Sequence, residues 1–328
     1  MIRRPRPAAL NAALALAILA TVSVRTADAQ IGRIRRAAQD AARELPNPAR
    51  LLEAPPPITT NLGDARWSVD SLDSHNPDPS VFQPITQLQR APNGGGWVLQ
   101  AGHWAYQSQS YCLKAGTHGP GGGDGYLFAP PAGPAEDQVV SILRNSEQHP
   151  DIPQRSVQVL LWAIIAHAKF EDLSPALKAT AARLLTPQQI ATLNRSALDI
   201  IPDELIERAI RESPPLVQQA FRAEAQLRRM LATTDHSFEQ MERVAVLAGL
   251  APRGAGSRDV PSGRWSLHPD GYYVRYVPSG YSSTRVEIWV LEGSPGVGRE
   301  FRPWHHIAVP GNTGRQRLIQ SARMHGGH

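Results

Sequence analysis

The apolar residues of this chain recur at helical spacing between residues 134 and 250, where proline and capping residues separate successive segments. We expect helices at 135–147, 154–169, 175–185, 187–193 and, more weakly, 202–211, with one long helix or a broken hairpin over 214–249. The 154–169 segment is apolar nearly all round, which predicts a central buried helix. The many charged residues of 214–249 are expected to form solvated helix faces.

Extended structure is predicted on both sides of this helical region. Residues 97–106 and then Tyr111–Leu113 are rich in large apolar and aromatic side chains. Beyond a Gly- and Pro-rich stretch the period changes to two, so strands are expected at 265–277 and 284–291. The pattern predicts an α+β fold, in which a β-containing segment packs on a helical body and a small β-rich C-terminal unit follows.

Composition shifts divide the chain further. The expected order is a signal peptide over 1–29, an N-terminal helix and Pro-rich irregular linker over 30–95, an α+β domain over 96–250, a linker over 251–263 and the C-terminal unit over 264–328. The N-terminal helix is predicted over 31–45, where apolar residues recur at helical spacing.

The first 29 residues have the three parts of a secretory signal peptide. Three arginines lie within the first six residues, an alanine-rich apolar stretch covers 8–24, and Ala27-Asp28-Ala29 forms a small-x-small cleavage site. We expect cleavage after Ala29 and export to the periplasm, the cell envelope or the medium. Twin-arginine export and an uncleaved anchor are the alternatives. No second apolar segment is long enough to span a bilayer.

The charge of the chain gives no reason to expect nucleic acid or an anionic membrane as a partner. The formal net charge is +5, but removal of residues 1–29 leaves 30 basic against 28 acidic residues. The glycine-rich loop 116–126 lacks the Gly-Lys-Ser/Thr ending of a phosphate loop. His305-His306 has no further ligand at a telling spacing. We therefore expect no cofactor and no metal.

Cys112 is the only cysteine of a chain that we expect to be exported. Such a residue forms an intermolecular bridge, remains a reactive thiol or is buried and inert. The glycine-rich loop follows it closely. That loop is either a simple flexible turn or a segment whose lack of side chains lets the backbone lie against the Cys112 region.

Gln158 is a polar residue inside the most apolar predicted helix, where it points between Trp162 and Ile165. Burial of its amide is costly unless the amide is hydrogen-bonded, for instance to the backbone of a neighbouring loop. Alternatively, a cysteine thiolate attacks the carboxamide carbon and releases ammonia, which leaves an uncharged internal thioester. An apolar pocket that excludes water would protect this product. Tyr111 and Trp162 would help to wall it off.

The segments Tyr111-Cys112-Leu113 and Val157-Gln158-Val159-Leu160-Leu161-Trp162 resemble the two signature blocks of bacterial thioester domains, which occur in secreted and surface adhesins. The resemblance covers about residues 96–170. It implies that Cys112 supplies the sulfur and Gln158 the acyl group of an internal thioester. It also implies acylation of a nucleophile, such as a lysine amine on a target surface, rather than enzymatic turnover. Tyr111, Trp162, Ile165 and His118 are the residues we expect around the pair.

Two other functions fit the same residues. The chain is either a non-reactive secreted or envelope interaction protein with a structural cysteine, or a cysteine hydrolase or transferase. In the enzyme, Cys112 would be the nucleophile and Gln158 an oxyanion donor. The candidate bases would be His118, His149 and His167, and the candidate orienting acids would be Asp124 and Asp137.

Overall fold

The computed structural model describes residues 55–59, 61–66, 75–92, 95–121, 123–233 and 235–325. The predicted signal peptide, the predicted helix over 31–45 and most of the Pro-rich linker lie outside these residues. No helix in the described part of the chain is both long enough and apolar enough to cross a bilayer.

Helices form where the apolar spacing predicted them. Those of the described ranges are α1 Glu136–Glu147, α2 Gln154–Ile165, α3 Pro175–Leu184, α4 Pro187–Ser196, α5 Asp203–Ile210, α6 Pro215–Leu231 and α7 Phe238–Ala245. Ser174 and Thr186 cap α3 and α4 by accepting bonds from backbone N–H groups of the first turn. The central helix α2 is shorter than predicted, and His167, just beyond its end, has a positive φ of 52°.

The strands of one large, mostly antiparallel sheet are β1 Gln83–Pro84, β3 Gly102–Cys112, β5 Tyr126–Ala129, β7 Ser266–Leu267, β8 Tyr273–Pro278, β9 Ser283–Val290, β11 Ile307–Pro310 and β12 Leu318–Met324. They run in the order β5-β11-β12-β3-β9-β8-β7, and the short strand β1 pairs in parallel with β3. Two small sheets pair β2 Trp97–Val98 with β10 Glu300–Phe301, and β4 Thr117–His118 with β6 Val246–Leu247. This arrangement confirms the α+β class.

The two extended pieces predicted before the helices are largely a single 11-residue strand, β3, which ends at Cys112. The segment 264–328 is β-rich as predicted, but its strands β9 and β12 hydrogen-bond to the two sides of β3. It therefore completes the central sheet and is not a separate unit. Correspondingly, the stretch 251–263 joins parts of one compact unit rather than two domains.

The hydrophobic core lies where helix α2 packs against β3. Every residue of α2 from Val157 to Ile165 is buried, which confirms the prediction of a central apolar helix. Helices α1, α3, α6 and α7 also contact α2, so all its faces have protein neighbours. Gln158 lies at the start of this buried run, where its side chain contacts the sheet.

Replacement of Leu160 by Ala should lower the free energy of unfolding by about 2–5 kcal/mol, because Leu160 is 0% exposed and its truncation leaves a cavity in the core beside α2. Urea unfolding measures this change. The matched control is Leu250→Ala, since Leu250 is 92% exposed and should shift the value by no more than about 0.5 kcal/mol. Equal effects of the two substitutions would contradict the central position of α2.

Candidate active site

Strand β3 loses one of its two neighbours just before Cys112. Strand β9 pairs with β3 as far as Gln109↔Ser283, and the Ser110 N–H then donates to the carbonyl of Ser282 over 3.1 Å. On the other side of β3, Cys112 is still paired with Leu318 of β12. The N–H and C=O of Cys112 that face the β9 side are buried and need other partners.

The side chain of Gln158 supplies both partners. The N–H of Cys112 donates to Oε1 of Gln158 at 2.8 Å, and Nε2 of Gln158 donates to the carbonyl of Cys112 at 3.2 Å. The carboxamide thus forms the two hydrogen bonds that a further residue of β9 would otherwise form with Cys112. Cys112 is 0% and Gln158 2% exposed, so the contact is shut off from solvent.

A second glutamine, one turn earlier on α2, anchors the helix in the same way. Nε2 of Gln154 donates to the carbonyls of Ser110 at 3.2 Å and Ser282 at 2.7 Å, at the point where β9 joins β3. The two glutamines at positions i and i+4 therefore present one polar edge of an apolar helix to the sheet. The structure brings the Gln158 carboxamide to the main chain of Cys112, whereas the contact of the carboxamide with the sulfur stays a prediction.

The Cys112 thiol lies in surroundings that disfavour its charged form. Burial raises the pKa of Cys112 well above its usual value, and the negative charge of Glu242 raises it further. A reactive cysteine of a hydrolase has the opposite environment, in which a neighbouring cation lowers the pKa. Before any reaction, the side chain of Cys112 is therefore the neutral thiol.

Trp162 and Phe238 form an aromatic wall between α2 and α7. Their rings stack with centroids 5.4 Å apart, and Trp162 lies one turn beyond Gln158. Trp162 Nε1 is buried and has no hydrogen-bond partner among the residues that the structure describes. Trp162 lies on the same side of α2 as Gln158, and its place beside the Cys112 thiol stays a prediction.

The structure gives each of the other three predicted neighbours contacts of its own. Tyr111 precedes Cys112 in β3 and so faces the opposite side of the sheet, where its hydroxyl contacts Gln109 Oε1 at 3.3 Å. Ile165 helps to line a separate cavity of about 250 Å³ with Leu113. His118 lies in β4, where its N–H donates to the Gly314 carbonyl. Strand alternation thus puts the Tyr111 side chain on the face opposite that of Cys112, whereas the places of Ile165 and His118 beside the pair stay predictions.

The histidines considered for a cysteine hydrolase do not pair with Cys112. His149 lies 3.0 Å from Nη2 of Arg183, and His167 lines the cavity next to Leu113. Within the described ranges, no hydrogen bond joins Cys112 to either of these residues or to His118. Of the two orienting acids, Asp124 forms an ion pair with Arg315, whereas Asp137 lies in the first turn of α1.

The glycine-rich loop is held in place by its packing. Gly116 has a φ of 68°, and a Cβ there would lie 2.8 Å from Cβ of Ala223 on α6. A Cβ on Gly125 would lie 2.2 Å from the carbonyl oxygen of Val260. These glycines permit close approach to α6 and to the 251–263 stretch, respectively. Neither close approach is to Cys112.

Two further residues belong to this site although the sequence did not indicate them. Glu242 of α7 accepts a hydrogen bond from the hydroxyl of Tyr281, which precedes β9. The sequence pattern assigned the charged residues of this helix to a solvated face. The four-residue spacing of Phe238 and Glu242 could have indicated that both lie on one side of α7. Of the histidine pair His305-His306, His306 is buried, and its Nε2 lies 2.9 Å from the hydroxyl of Tyr272, whereas His305 is partly exposed.

No group of three or more potential ligands among His, Cys, Asp and Glu is arranged to hold a metal ion in the described part of the chain.

The structural contribution of Gln158 can be measured without any thioester by working in a Cys112→Ala background. There, Gln158→Leu should cost about 1–3 kcal/mol for each main-chain group of residue 112 that loses its partner, because both groups are buried. Urea unfolding of the single and double variants gives the difference. No loss of stability would show that the two hydrogen bonds contribute nothing net to the fold.

No known family model matches the chain, and no curated protein or solved structure matches it either. What the site can do must therefore follow from its own geometry.

Proposed function

We propose that Cys112 and Gln158 condense to an internal thioester and that the exported protein uses it to attach covalently to an amine-bearing target, such as a surface protein. The observation that carries this proposal is the hydrogen-bonded contact between the Gln158 carboxamide and Cys112 inside a buried site. The resemblance of the two segments around these residues to thioester-domain blocks supports the same chemistry.

The contact holds the carboxamide beside the residue whose sulfur would attack its carbon. Negative charge develops on Oε1 of Gln158 during this attack, and the N–H of Cys112 already donates to that atom at 2.8 Å. A C–S bond forms, the C–N bond breaks, and the thiol proton leaves with the amide nitrogen as ammonia. Fixing the two residues in one site removes the entropic cost of bringing them together.

The thioester would then react once with its target. The amine nitrogen attacks the carbonyl carbon, the C–S bond breaks, and Cys112 recovers its proton as a free thiol. The side chain of residue 158 is left joined to the target by an amide bond. Burial protects the thioester from water before the target arrives. The reaction consumes the group, so the protein acts as a covalent adhesin rather than as an enzyme that turns over.

A second candidate function rests on the same hydrogen bonds. The carboxamide already satisfies the main chain of Cys112, and the thiol is held neutral, as expected of a structural cysteine in a non-reactive secreted or envelope interaction protein. In that case Gln158 serves only to complete the ladder of β3.

Intact mass spectrometry separates the two candidates. The thioester predicts that the mature chain is lighter than its calculated mass by one ammonia, and that methylamine adds across the bond under native conditions. Cys112→Ala and Gln158→Ala should each have the full calculated mass and should not bind methylamine. Gln188→Ala is the matched control, because Gln188 is an exposed glutamine on α4 and should leave the mass deficit unchanged.

The structural-cysteine candidate predicts a wild-type chain of full mass that is not modified by methylamine and whose thiol resists alkylation until the protein unfolds. Persistence of the deficit in either Cys112→Ala or Gln158→Ala would refute the assignment of these two residues.

A further inference from the structure

A cavity of about 250 Å³ lies where the chain leaves β3, between the end of α2 and helix α6. Its apolar walls include Leu113, Ile165, Leu198 and Phe221, and the segment 56–58 also lines it. The volume is slightly below the roughly 300–1,000 Å³ of pockets that hold drug-sized ligands, so the cavity suits a smaller organic molecule.

The chain that follows Cys112 is held against α6. Nε2 of Gln219 donates to the carbonyl of Gly116 at 2.6 Å. Gly116 also packs directly against α6, where a Cβ would lie 2.8 Å from the carbonyl oxygen of Gln219. Lys114 lies between this contact and the end of β3, and it lines the cavity. The position of Lys114 at the cavity is therefore fixed from both sides.

The cavity contains two charged side chains that the protein leaves unpaired. Lys114 and Glu224 both line it and are partly buried, and within the described ranges neither side chain forms a hydrogen bond or an ion pair. The other two lysines of the chain differ, because Lys169 pairs with Asp199 at 2.7 Å and Lys178 is exposed. A charge in largely apolar surroundings is costly unless it is paired, which indicates a partner from outside the chain.

Arg228 adds a second cation to the cavity wall. It is buried, and its Nε donates to the carbonyl of Ala166 at 2.7 Å while Nη1 donates to that of Asp199 at 3.3 Å. These bonds hold the guanidinium in place, but none of the described carboxylates forms an ion pair with it. Lys114, Arg228 and Glu224 together supply two cations and one acid.

The main chain at the cavity wall is strained at His167. This residue directly follows Ala166, the C-cap of α2, and has a φ of 52°. The position is usually occupied by glycine, because a side chain disfavours the left-handed conformation. The N–H of Leu198, another residue of the cavity wall, donates to the His167 carbonyl at 2.9 Å. Backbone strain in a residue that lines a cavity is typical of ligand sites.

The electrostatics agree with a binding site. Burial lowers the pKa of Lys114 to about 8, and the charge of Arg317 acts in the same direction. Burial raises the pKa of Glu224 to about 7. Near neutral pH, Lys114 is thus mainly an ammonium, whereas Glu224 is divided between its acid and its carboxylate. The acid form of Glu224 can donate a hydrogen bond to an incoming anion.

We propose that this cavity binds a small carboxylic acid with an apolar body. The carboxylate of the ligand pairs with Lys114 and Arg228, and its hydrocarbon part packs against Phe221 and the other apolar walls. Charge complementarity favours an acid, because one added carboxylate balances the two cations against two acids. An amine would add a third cation, and a zwitterionic amino acid would leave the excess of positive charge unchanged. Binding of the acid requires neither Cys112 nor Gln158.

The test is calorimetric titration of the whole chain with sodium octanoate at about pH 6.5, where the ligand is ionised and Lys114 is protonated. Lys114→Met should weaken octanoate binding about tenfold or more, as expected for a lost hydrogen bond between charged groups. Octanol has no carboxylate, so it should bind the wild type more weakly than octanoate does and should bind Lys114→Met equally well. Lys178→Met is the matched control, because it makes the same change at an exposed position of α3 and should leave octanoate binding unchanged.

Val217→Trp tests the location of the site. Val217 lies in the first turn of α6, is 38% exposed and lines the cavity, so a larger side chain there should fill the cavity and abolish binding of both ligands. Glu224→Gln should bind octanoate at least as tightly as the wild type does, because it removes a negative charge. If Lys114→Met fails to fold, Lys114→Gln supplies the measurement.

Three results would overturn the proposal. The first is a wild-type chain that does not bind octanoate, or that binds octanol equally well. The second is equal octanoate binding by the wild type and Lys114→Met, or undiminished binding by Val217→Trp. The third is weaker octanoate binding by Glu224→Gln, since the acid would then depend on a group that should repel it.

Discussion

A β-strand that extends beyond the end of its neighbour has main-chain groups without partners in the sheet. In this protein, the side chain of Gln158 hydrogen-bonds to these groups of β3. Strand β9 pairs with β3 only as far as Gln109, Ser110 still donates to the carbonyl of Ser282, and the following main-chain groups on this side belong to Cys112. The carboxamide of Gln158 has the same donor and acceptor as a peptide unit, so it can replace one. This pair of hydrogen bonds fixes the position of α2 on the sheet, and the rest of the core is built around α2.

The same constraint explains why an apolar helix contains polar residues. Gln154 and Gln158 lie one turn apart and meet successive points of β3, at Ser110 and at Cys112. Each amide offsets the cost of its own burial by satisfying a main-chain group that would otherwise be orphaned. Structural need alone therefore accounts for a glutamine at position 158. The chemical proposal depends on which residue it meets: the chain's only cysteine.

The proposed single-use chemistry fits the surroundings of Cys112 better than repeated catalysis does. A hydrolase benefits from an accessible thiolate beside a histidine. Here the thiol is buried and neutral, and its titratable neighbours are a carboxylate and two phenols. Such a site is suited to storing a neutral acyl bond away from water.

The sequence by itself determined the helices, because apolar spacing and caps such as Ser174 and Thr186 are local signals. It also identified Cys112 and Gln158 as residues whose types were unusual for their surroundings. It could not show that residues 264–328 complete the central sheet. Strand β12 carries buried polar residues, among them Gln320 and Ser321, so its sequence lacks an alternating pattern. Only the tertiary structure decided which side of β3 each neighbouring strand occupies. The physical reason is that these contacts join residues more than a hundred positions apart, through sheet pairing that no local preference specifies.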